Sequence, residues 1–504
     1  MKSKIVNKLL AAVLGACVVL GAAACSNHDN PPDFSAGNKG SSADAGNNQA
    51  DSTSGDKNIA KPASISWWTH DGLNKENGAE EWFAEFEKFT GIHLDHQFIS
   101  NNEYYIKLGL AFASKEIPEV FDLNGSNLAR YASQGAIHDL TDLVRNADFY
   151  DKVDPALWEA IAIDGKIYAV PEEIPSAVVT YVRGDWLERL GMDVPATYEE
   201  FLEMLRRFKD EIPECEICLT APGVGSERGL PEFYQGAHFG FAKVNGEWID
   251  GFAQPDMAAA MQRMQDAYRE GLLDRQIITN TTTTCRDAWY EGKVGVFTYW
   301  SGKWGGTLQE KLEVNNAGAI AQPIEPIQEA TYYFSPPGGY CISSQVSDKK
   351  AEQIFEYFFE YMHDGGEGQV LFQSGVEGVH WEQDGDMIKP LPNLADGATV
   401  TTSAWITPWL AISPLEVTDK KIKQADAVVN SLAVTDKYAK QVAITPVSDA
   451  LNRISSDLDR AKSSILARVV MGEMTVDAAV EEYRKVAEEL NVEQVLKELN
   501  GSGY

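Results

Sequence analysis

Residues 294–306 read VGVFTYWSGKWGG and set Tyr299, Trp300 and Trp304 among Ser301, Gly302, Gly305 and Gly306. Flat aromatic faces can stack on the apolar face of a ring-shaped ligand, and tryptophan offers the largest such face. The competing reading is a core plug, because tryptophan is highly buried on average. A second chemistry comes from polar residues that end short apolar runs. His70 and Asp71 follow Trp67 and Trp68 in ISWWTHDG, Asp122 and Asn124 close EVFDLN, and Glu172 and Glu173 follow Pro171. Carboxylates and amides of this kind exchange hydrogen bonds with ligand hydroxyls. Each has a plainer alternative. Asp71 could cap a helix, Asn124-Gly125 could form a turn, and Glu172-Glu173 could be a solvated acidic pair. Trp67 and Trp68 point to opposite faces of a strand, so at most one of them can see a cleft while the other packs inward.

Covalent chemistry finds little support. The chain has no HExxH, no GxSxG and no Walker loop, and GVGSERG at 223–229 misplaces its last glycine for a dinucleotide fingerprint. Its 8 histidines do not cluster at metal-ligand spacing. Cys215-Glu216-Ile217-Cys218 is a lone CxxC within a strand-like run, which reads as a structural pair or as buried thiols. No catalytic residue, cofactor or metal is expected.

The 504-residue length predicts two or three folded units, and 44% hydrophobic with 23% charged residues is an ordinary globular composition. A net charge of −32 without any basic run argues against nucleic acid as a partner. Lys2, Lys4 and Lys8 precede an apolar stretch, Leu9 to Ala24, that closes on small residues before Cys25. This pattern predicts an export signal over residues 1–24. Ala22-Ala23-Ala24-Cys25 resembles a bacterial lipobox, which would make Cys25 the lipidated first residue of an exported chain on the outer face of the cell membrane. Residues 25–62 are rich in Ser, Asn, Asp and Gly and are predicted to form a tether.

From residue 63 the elements alternate. A strand at ISWW, a helix around EEWFAEFEKF, a strand IHLDHQF, a helix NNEYYIKLGLAFASKE and a strand EVFDLN indicate an α/β sheet. A second set follows, with a helix TYEEFLEMLRRFKDEI, a strand CEICLTA, helices at QPDMAAAMQRMQDAYREG and TTTTCRDAWYEG, and the opening strand VGVFTYW. Ligands of open α/β sheets sit beyond the carboxyl ends of strands, where the candidate residues lie.

Taken in order, ISWWTHDG with FEKFTGIHL, DGKIYAVP with TYVRGDWLERLG, GKVGVF with its aromatic end, PPGGYCIS and FQSGVEGVHW resemble bacterial extracellular solute-binding proteins of carbohydrate importers, the class that contains maltose-binding protein. The resemblance implies a two-lobed α/β fold with a ligand cleft and a hinge of two or three strands, near residues 174–183 and 336–343, with a third crossing after roughly 395. It implies an N-terminal lobe of 63–178 and 339–398 and a C-terminal lobe of 179–338 and 399–504. It implies ligand contacts from Asp71 ahead of His70, from Trp300 or Trp304, and from Tyr340, Glu377, His380, Trp381 and Trp405, with core packing an equal alternative for Trp405 and Trp409. The glycines of the Trp300 loop would let its backbone approach the ligand. An oligosaccharide ligand, importer permease subunits as partners, a lipid anchor as the only membrane contact and a monomeric state are expected. Alternatives are an exported glycoside hydrolase or the same fold with a non-sugar ligand.

Overall fold

A computed structural model describes residues 59–501 apart from 71–72, 74–77, 154, 172–175, 335–337, 392–415, 418–419, 423–424, 444 and 447. The leader, Cys25, most of the tether, Asp71, Glu172, Glu173, Trp405 and Trp409 lie outside the described residues. The strands that matter for the site are Ser64–Thr69 (β1), His93–Phe98 (β2), Val120–Leu123 (β3), Val178–Arg183 (β4), Ile217–Thr220 (β5), Phe241–Val244 (β6), Glu247–Asp250 (β7), Val294–Trp300 (β8), Ala321–Pro323 (β9) and Gly339–Ile342 (β10).

One sheet has the order β10-β3-β1-β2, with β1 parallel to β2 and β3 and with β10 antiparallel to β3. Its core forms because β1 alternates, sending Ile65 and Trp67 inward, while the helix Ala79–Thr90 buries Trp82 and Phe86 on the facing stripe. That helix ends at Gly91, whose left-handed φ of 67° closes it just before β2. A second sheet has the order β5-β8-β4-β9, with β8 parallel to β5 and antiparallel to β4. Six of the seven residues of β8 are buried, as expected of a central strand covered on both faces.

Two large apolar cores result. One unites Trp67, Phe121, Tyr340 and Phe358, and the other unites Phe208, Leu219, Val296 and Leu466. The latter includes the helices Asp449–Val470 and Val476–Glu489, so the chain's last helices pack on the second lobe. The fold is therefore α/β and two-lobed.

Among the described residues, two segments pair backbone to backbone where the lobes meet. Val170 and Tyr340 exchange two backbone hydrogen bonds of 2.9 Å, and Ala177 bridges Phe334. These paired positions, Val170 with Tyr340 and Ala177 with Phe334, mark two crossings among the described residues. A smaller sheet joins Trp381–Asp384 (β11), Met387–Pro390 (β12), Glu416–Val417 (β13) and Lys420–Ile422 (β14) in the order β11-β12-β14-β13. Among the described residues no helix is long and apolar enough to cross a membrane.

Candidate functional site

The strand ends that flank the two crossings carry most of the candidate side chains. On the first lobe, β1 runs into His70 and β3 runs into Asn124. His70 Nε2 lies 3.0 Å from Asp122 Oδ2, with the His70 side chain 21% exposed and the Asp122 side chain only 5%. The edge of Tyr104 meets the His70 ring at 4.8 Å and 88°. Tyr104 Oη donates to the Asp122 carbonyl and accepts from the Asp122 amide, both at 3.1 Å. Burial, then the Asp122 charge, hold the Tyr104 phenol well above its ordinary range, so it stays a neutral donor. Asp122 is thus placed beneath His70, where it orients the imidazole while His70 keeps some exposure to the cleft.

Asn124 is not in a turn. Its Oδ1 accepts from the Asn127 amide at 3.0 Å and caps the helix Gly125–Ser133, while its own amide donates to Tyr105 Oη at 3.1 Å. The side chain remains exposed at the strand end. Gly338 and Gly339 bring the second crossing against this edge. A Cβ on Gly338 would stand 2.1 Å from the Leu123 carbonyl oxygen, and one on Gly339 would stand 2.2 Å from that of Val170.

On the second lobe, Trp300 ends β8 directly opposite Val178, where β4 leaves the crossing. Its carbonyl accepts from Tyr181 Oη at 3.0 Å, and its ring is half-buried. Ser301 is fully buried; its amide donates to the Ala177 carbonyl at 2.9 Å and its Oγ accepts from the Ala177 amide at 3.3 Å. These bonds tie the aromatic strand end to the crossing itself. Trp304 belongs to the first turn of the helix Lys303–Asn315, half-buried and edge-on to Tyr299 at 5.2 Å. The Arg228 guanidinium lies 5.3 Å from the centre of the Trp300 ring, and that of Arg286 lies 5.0 Å from Trp304 and 5.9 Å from Tyr299.

Beneath Trp300, Thr298 and Thr180 meet at 3.1 Å, and Thr180 Oγ1 donates to Glu232 Oε1 at 2.6 Å. Burial pushes the Glu232 carboxyl up to about 7, against the pull of the Thr180 hydrogen bond.

Several sequence readings are corrected. Residues 303–306 start a helix instead of forming a ligand-facing loop, and their glycines serve packing. A Cβ on Gly305 would stand 2.6 Å from Ser431 Oγ, and one on Gly306 would stand 2.7 Å from Val428 Cγ2, both on the helix Asp426–Tyr438. Trp67 is fully buried among Trp82, His96, Tyr340 and Phe358, at ring distances of 5.0–5.9 Å, so it is a core residue. Tyr340, 2% exposed, packs against Trp67 and Phe359 in the same core. His380 is fully buried with Nδ1 accepting from the Val376 amide, and Trp381, 2% exposed, donates from Nε1 to the Gly375 carbonyl at 2.9 Å. Both hold the turn that leads into β11. Glu377 is exposed on that turn, and Trp68 is half-buried at the end of β1. Cys215, Cys218, Cys285 and Cys341 form no disulfide among the described residues, and no cluster among those residues could hold a metal ion.

Tyr104, Tyr105, Arg228 and Arg286 had escaped the sequence reading. Tyr104 and Tyr105 sit inside a helical pattern, and Arg228 sits in the glycine-rich run that was weighed only for dinucleotide binding. The one available signal was the proximity of each arginine to an aromatic strand end, which needs the fold to be seen.

Residues 72–360 match the family described as bacterial extracellular solute-binding protein. Lipoprotein LipO of Bacillus subtilis (strain 168) is 22% identical over 59% of this chain and 63% of its own length. The diacetylchitobiose binding protein DasA of Streptomyces coelicolor is 24% identical over 73% of this chain and 81% of its own. The chain therefore spans less than two thirds of LipO. In three dimensions it resembles the alginate-binding protein AlgQ2 without calcium ion, with a TM-score of 0.64 at 19% identity over 88% of this chain and 98% of that one. A match over more than half the chain, together with the two-lobed fold, decides the matter: the chain belongs to the bacterial extracellular solute-binding protein family.

Proposed function

We propose that this chain captures a carbohydrate, an oligosaccharide, between its lobes and delivers it to the membrane permease of an ATP-driven importer. The observation that carries this reading is the half-buried Trp300, tied through Ser301 to one crossing and set across the hinge from the His70–Asp122 pair. An aromatic plane on one lobe and hydrogen-bonding groups on the other suit a sugar, which offers apolar C–H faces and a rim of hydroxyls. The names of DasA and AlgQ2, which state binding of diacetylchitobiose and of alginate, support the same class.

In this reading the lobes comprise 63–178 with 339–398 and 179–338 with 399–504. Trp68, His70, Asp71, Asn124, Glu172, Glu173, Trp300, Trp304, Glu377 and Trp405 are the ligand-facing candidates. Cys25 carries a lipid that holds a monomeric receptor on the outer face of the membrane, while residues 25–62 let it reach the permease. No bond is made or broken in the ligand. Binding stabilises a closed arrangement of the lobes, and the permease recognises that shape.

A thermal-shift and calorimetric screen against a glycan panel tests this. A ligand at a hundred times its dissociation constant adds about 2.7 kcal/mol of stability. Saturable binding without product is the expected result, and turnover of any glycan overturns the reading.

A further inference from the structure

The strands β5 and β8 run parallel, so the chain that leaves the carboxyl end of β5 emerges on the same sheet edge as Trp300. It passes through Glu227 and Arg228, and the Arg228 guanidinium lies 5.3 Å from the centre of the Trp300 ring. Glu227 Oε1 lies 3.5 Å from His238 Nδ1, each side chain about a quarter exposed, and the ring of Tyr333 lies 6.2 Å from that of His238. Tyr333 precedes Phe334, which bridges Ala177, and Ala177 in turn holds Ser301 next to Trp300. The Glu227–His238 pair is therefore rooted beside the same crossing as the tryptophan, on the same lobe.

The support beneath the pair is buried and close-fitting. A Cβ on Gly251 would stand 2.5 Å from His238 Cβ and 2.6 Å from the His238 carbonyl oxygen, so the backbone of β7 presses directly against this histidine. The next residue, Phe239, donates its amide to Glu227 Oε2 at 3.4 Å and offers its carbonyl to Lys462 Nζ at 3.2 Å. Lys462 is itself enclosed by the rings of Phe239, Phe241, Phe252 and Tyr483 at 5.1–6.0 Å. On the other side, Tyr234 Oη donates to the Val224 carbonyl at 2.7 Å and fixes the loop that carries Glu227. A half-exposed ion pair adds little to stability, whereas a rigid base of this kind is what holds a binding group in one orientation.

With the Nδ1 proton directed at Glu227, the His238 Nε2 is an acceptor, and it has no partner among the described residues. The Glu227 carboxylate keeps further lone pairs beyond the one given to Phe239. Burial lowers the Arg228 pKa and the Glu227 charge partly restores it, so the nearest cation is balanced from within the chain. Burial, then the Glu227 charge, raise the Tyr333 phenol, which stays neutral. Two adjacent acceptors without a free cation suit hydroxyl donors and disfavour an anionic substituent. We infer that Glu227 and His238 form a second-lobe subsite that accepts hydrogen bonds from the hydroxyl groups of a neutral sugar ring, beside the aromatic platform of Trp300. This inference rests on the carbohydrate reading above.

Calorimetry on the full chain with neutral trisaccharides of glucose, galactose, xylose and fructose, and with trigalacturonate as an acidic comparison, is the first step of the test. The neutral trisaccharide that binds most tightly is then measured as its single-deoxy analogues against the native chain, His238→Phe and Glu227→Leu. At least one lost hydroxyl should cost the native chain about tenfold in affinity, and the same loss should cost either variant nothing further. Native-chain carbethoxylation by diethyl pyrocarbonate, read by peptide mass, needs no variant: the bound trisaccharide should protect His238 and leave the exposed His93 reactive. Equal modification of His238 with and without the sugar overturns the inference even if neither variant folds. Folded variants that bind as the native chain does, or that bind weakly with every hydroxyl penalty intact, overturn it too. Binding confined to trigalacturonate overturns it and leaves the carbohydrate reading standing, while a folded chain that binds no glycan removes both.

Discussion

Gly339→Ala is the substitution whose effect the structure defines most sharply. Gly339 opens β10 where the second crossing enters the first lobe, and its neighbour Tyr340 exchanges two hydrogen bonds of 2.9 Å with Val170 on the first crossing. A Cβ here would meet the Val170 carbonyl oxygen at 2.2 Å, its carbon at 2.7 Å and the Pro171 Cα at 3.1 Å, whereas ordinary contact begins at 3.4 Å. All three are backbone atoms, so no side chain can rotate away. The carbonyl must retreat by about an ångström, and it belongs to the pair of bonds that hold the crossings together.

Overpacking of this kind costs about 1–3 kcal/mol, and the two strained hydrogen bonds are worth about 0.5–1.5 kcal/mol each. The expected loss is therefore about 2–5 kcal/mol, which lowers the melting temperature of a lobe of this size by roughly 4–20 °C. Gly240→Ala serves as the reference, because a Cβ there meets nothing within 4 Å and its φ is ordinary. That change should be neutral or stabilise by about 0.4–1 kcal/mol through the unfolded chain. Differential scanning calorimetry on the two variants decides it. A Gly339→Ala protein that melts with the native chain would refute the close pairing of the crossings and, with it, the placement of the hinge.

Trp300→Ala and Trp304→Ala should each weaken glycan binding by about 1–3 kcal/mol, or roughly 5–150-fold by titration calorimetry, and unchanged affinity in both variants and in the double variant removes the stacking proposal. Trp67→Ala should instead lower stability by about 3–5 kcal/mol through a core cavity, read by guanidinium unfolding. Glu232 holds its proton more tightly folded than unfolded, so the native state binds more protons between pH 4.5 and about 7 and stability falls as pH rises through that window. The fall is about 3 kcal/mol at about 1.4 kcal/mol per pH unit, and Glu232→Gln should flatten it; an unchanged pH profile in that variant would show the carboxyl to be solvated. Lys462, 1% exposed and 3.0 Å from the buried Asp250, predicts a loss of about 3–5 kcal/mol for Lys462→Met, partly recovered by adding Asp250→Asn. Equal stabilities of the single and double variants would contradict that pairing.

The parts of the fold that were legible in the sequence are those whose pattern is local. The helix Ala79–Thr90, the strands β1, β2, β3, β5 and β8, and the helix Pro255–Glu270 all follow from periodicity and terminal glycines. The hairpin of β6 and β7 was missed even though Asn245-Gly246 signals it, with both residues at positive φ. The small sheet of β11 to β14 was also missed, because its strands are two to four residues long and offer no period to read. Strand alternation correctly implied that only one of Trp67 and Trp68 could face outward. Which one packs inward depends on the facing stripe of Trp82 and Phe86, set by tertiary contacts. Tyr340 and Trp381 look the same as surface aromatics until the core around them exists. The glycines at 305 and 306 misled for a related reason, since the helix they accommodate, Asp426–Tyr438, lies more than a hundred residues further along the chain.

The same distinction explains why the candidate site is divided. Each half is built on a strand end that its own lobe already stabilises, β1 and β3 with His70 and Asn124 on one side, β8 with Trp300 on the other. Neither half surrounds a ligand alone. Moving a hinged protein from almost entirely open to almost entirely closed requires a difference in ligand binding of about 5.5 kcal/mol between the two states. One stacked ring supplies about 0.5–1.5 kcal/mol beyond its buried area, so the Trp300 side cannot drive closure unaided. In the proposed reading, hydrogen bonds from the His70 side would become available only when the lobes approach, and their energy would count toward the closed state. A receptor of this design can hold its ligand loosely when open and tightly when closed, and a variant that damages only the His70 face should leave weak binding intact while abolishing closure.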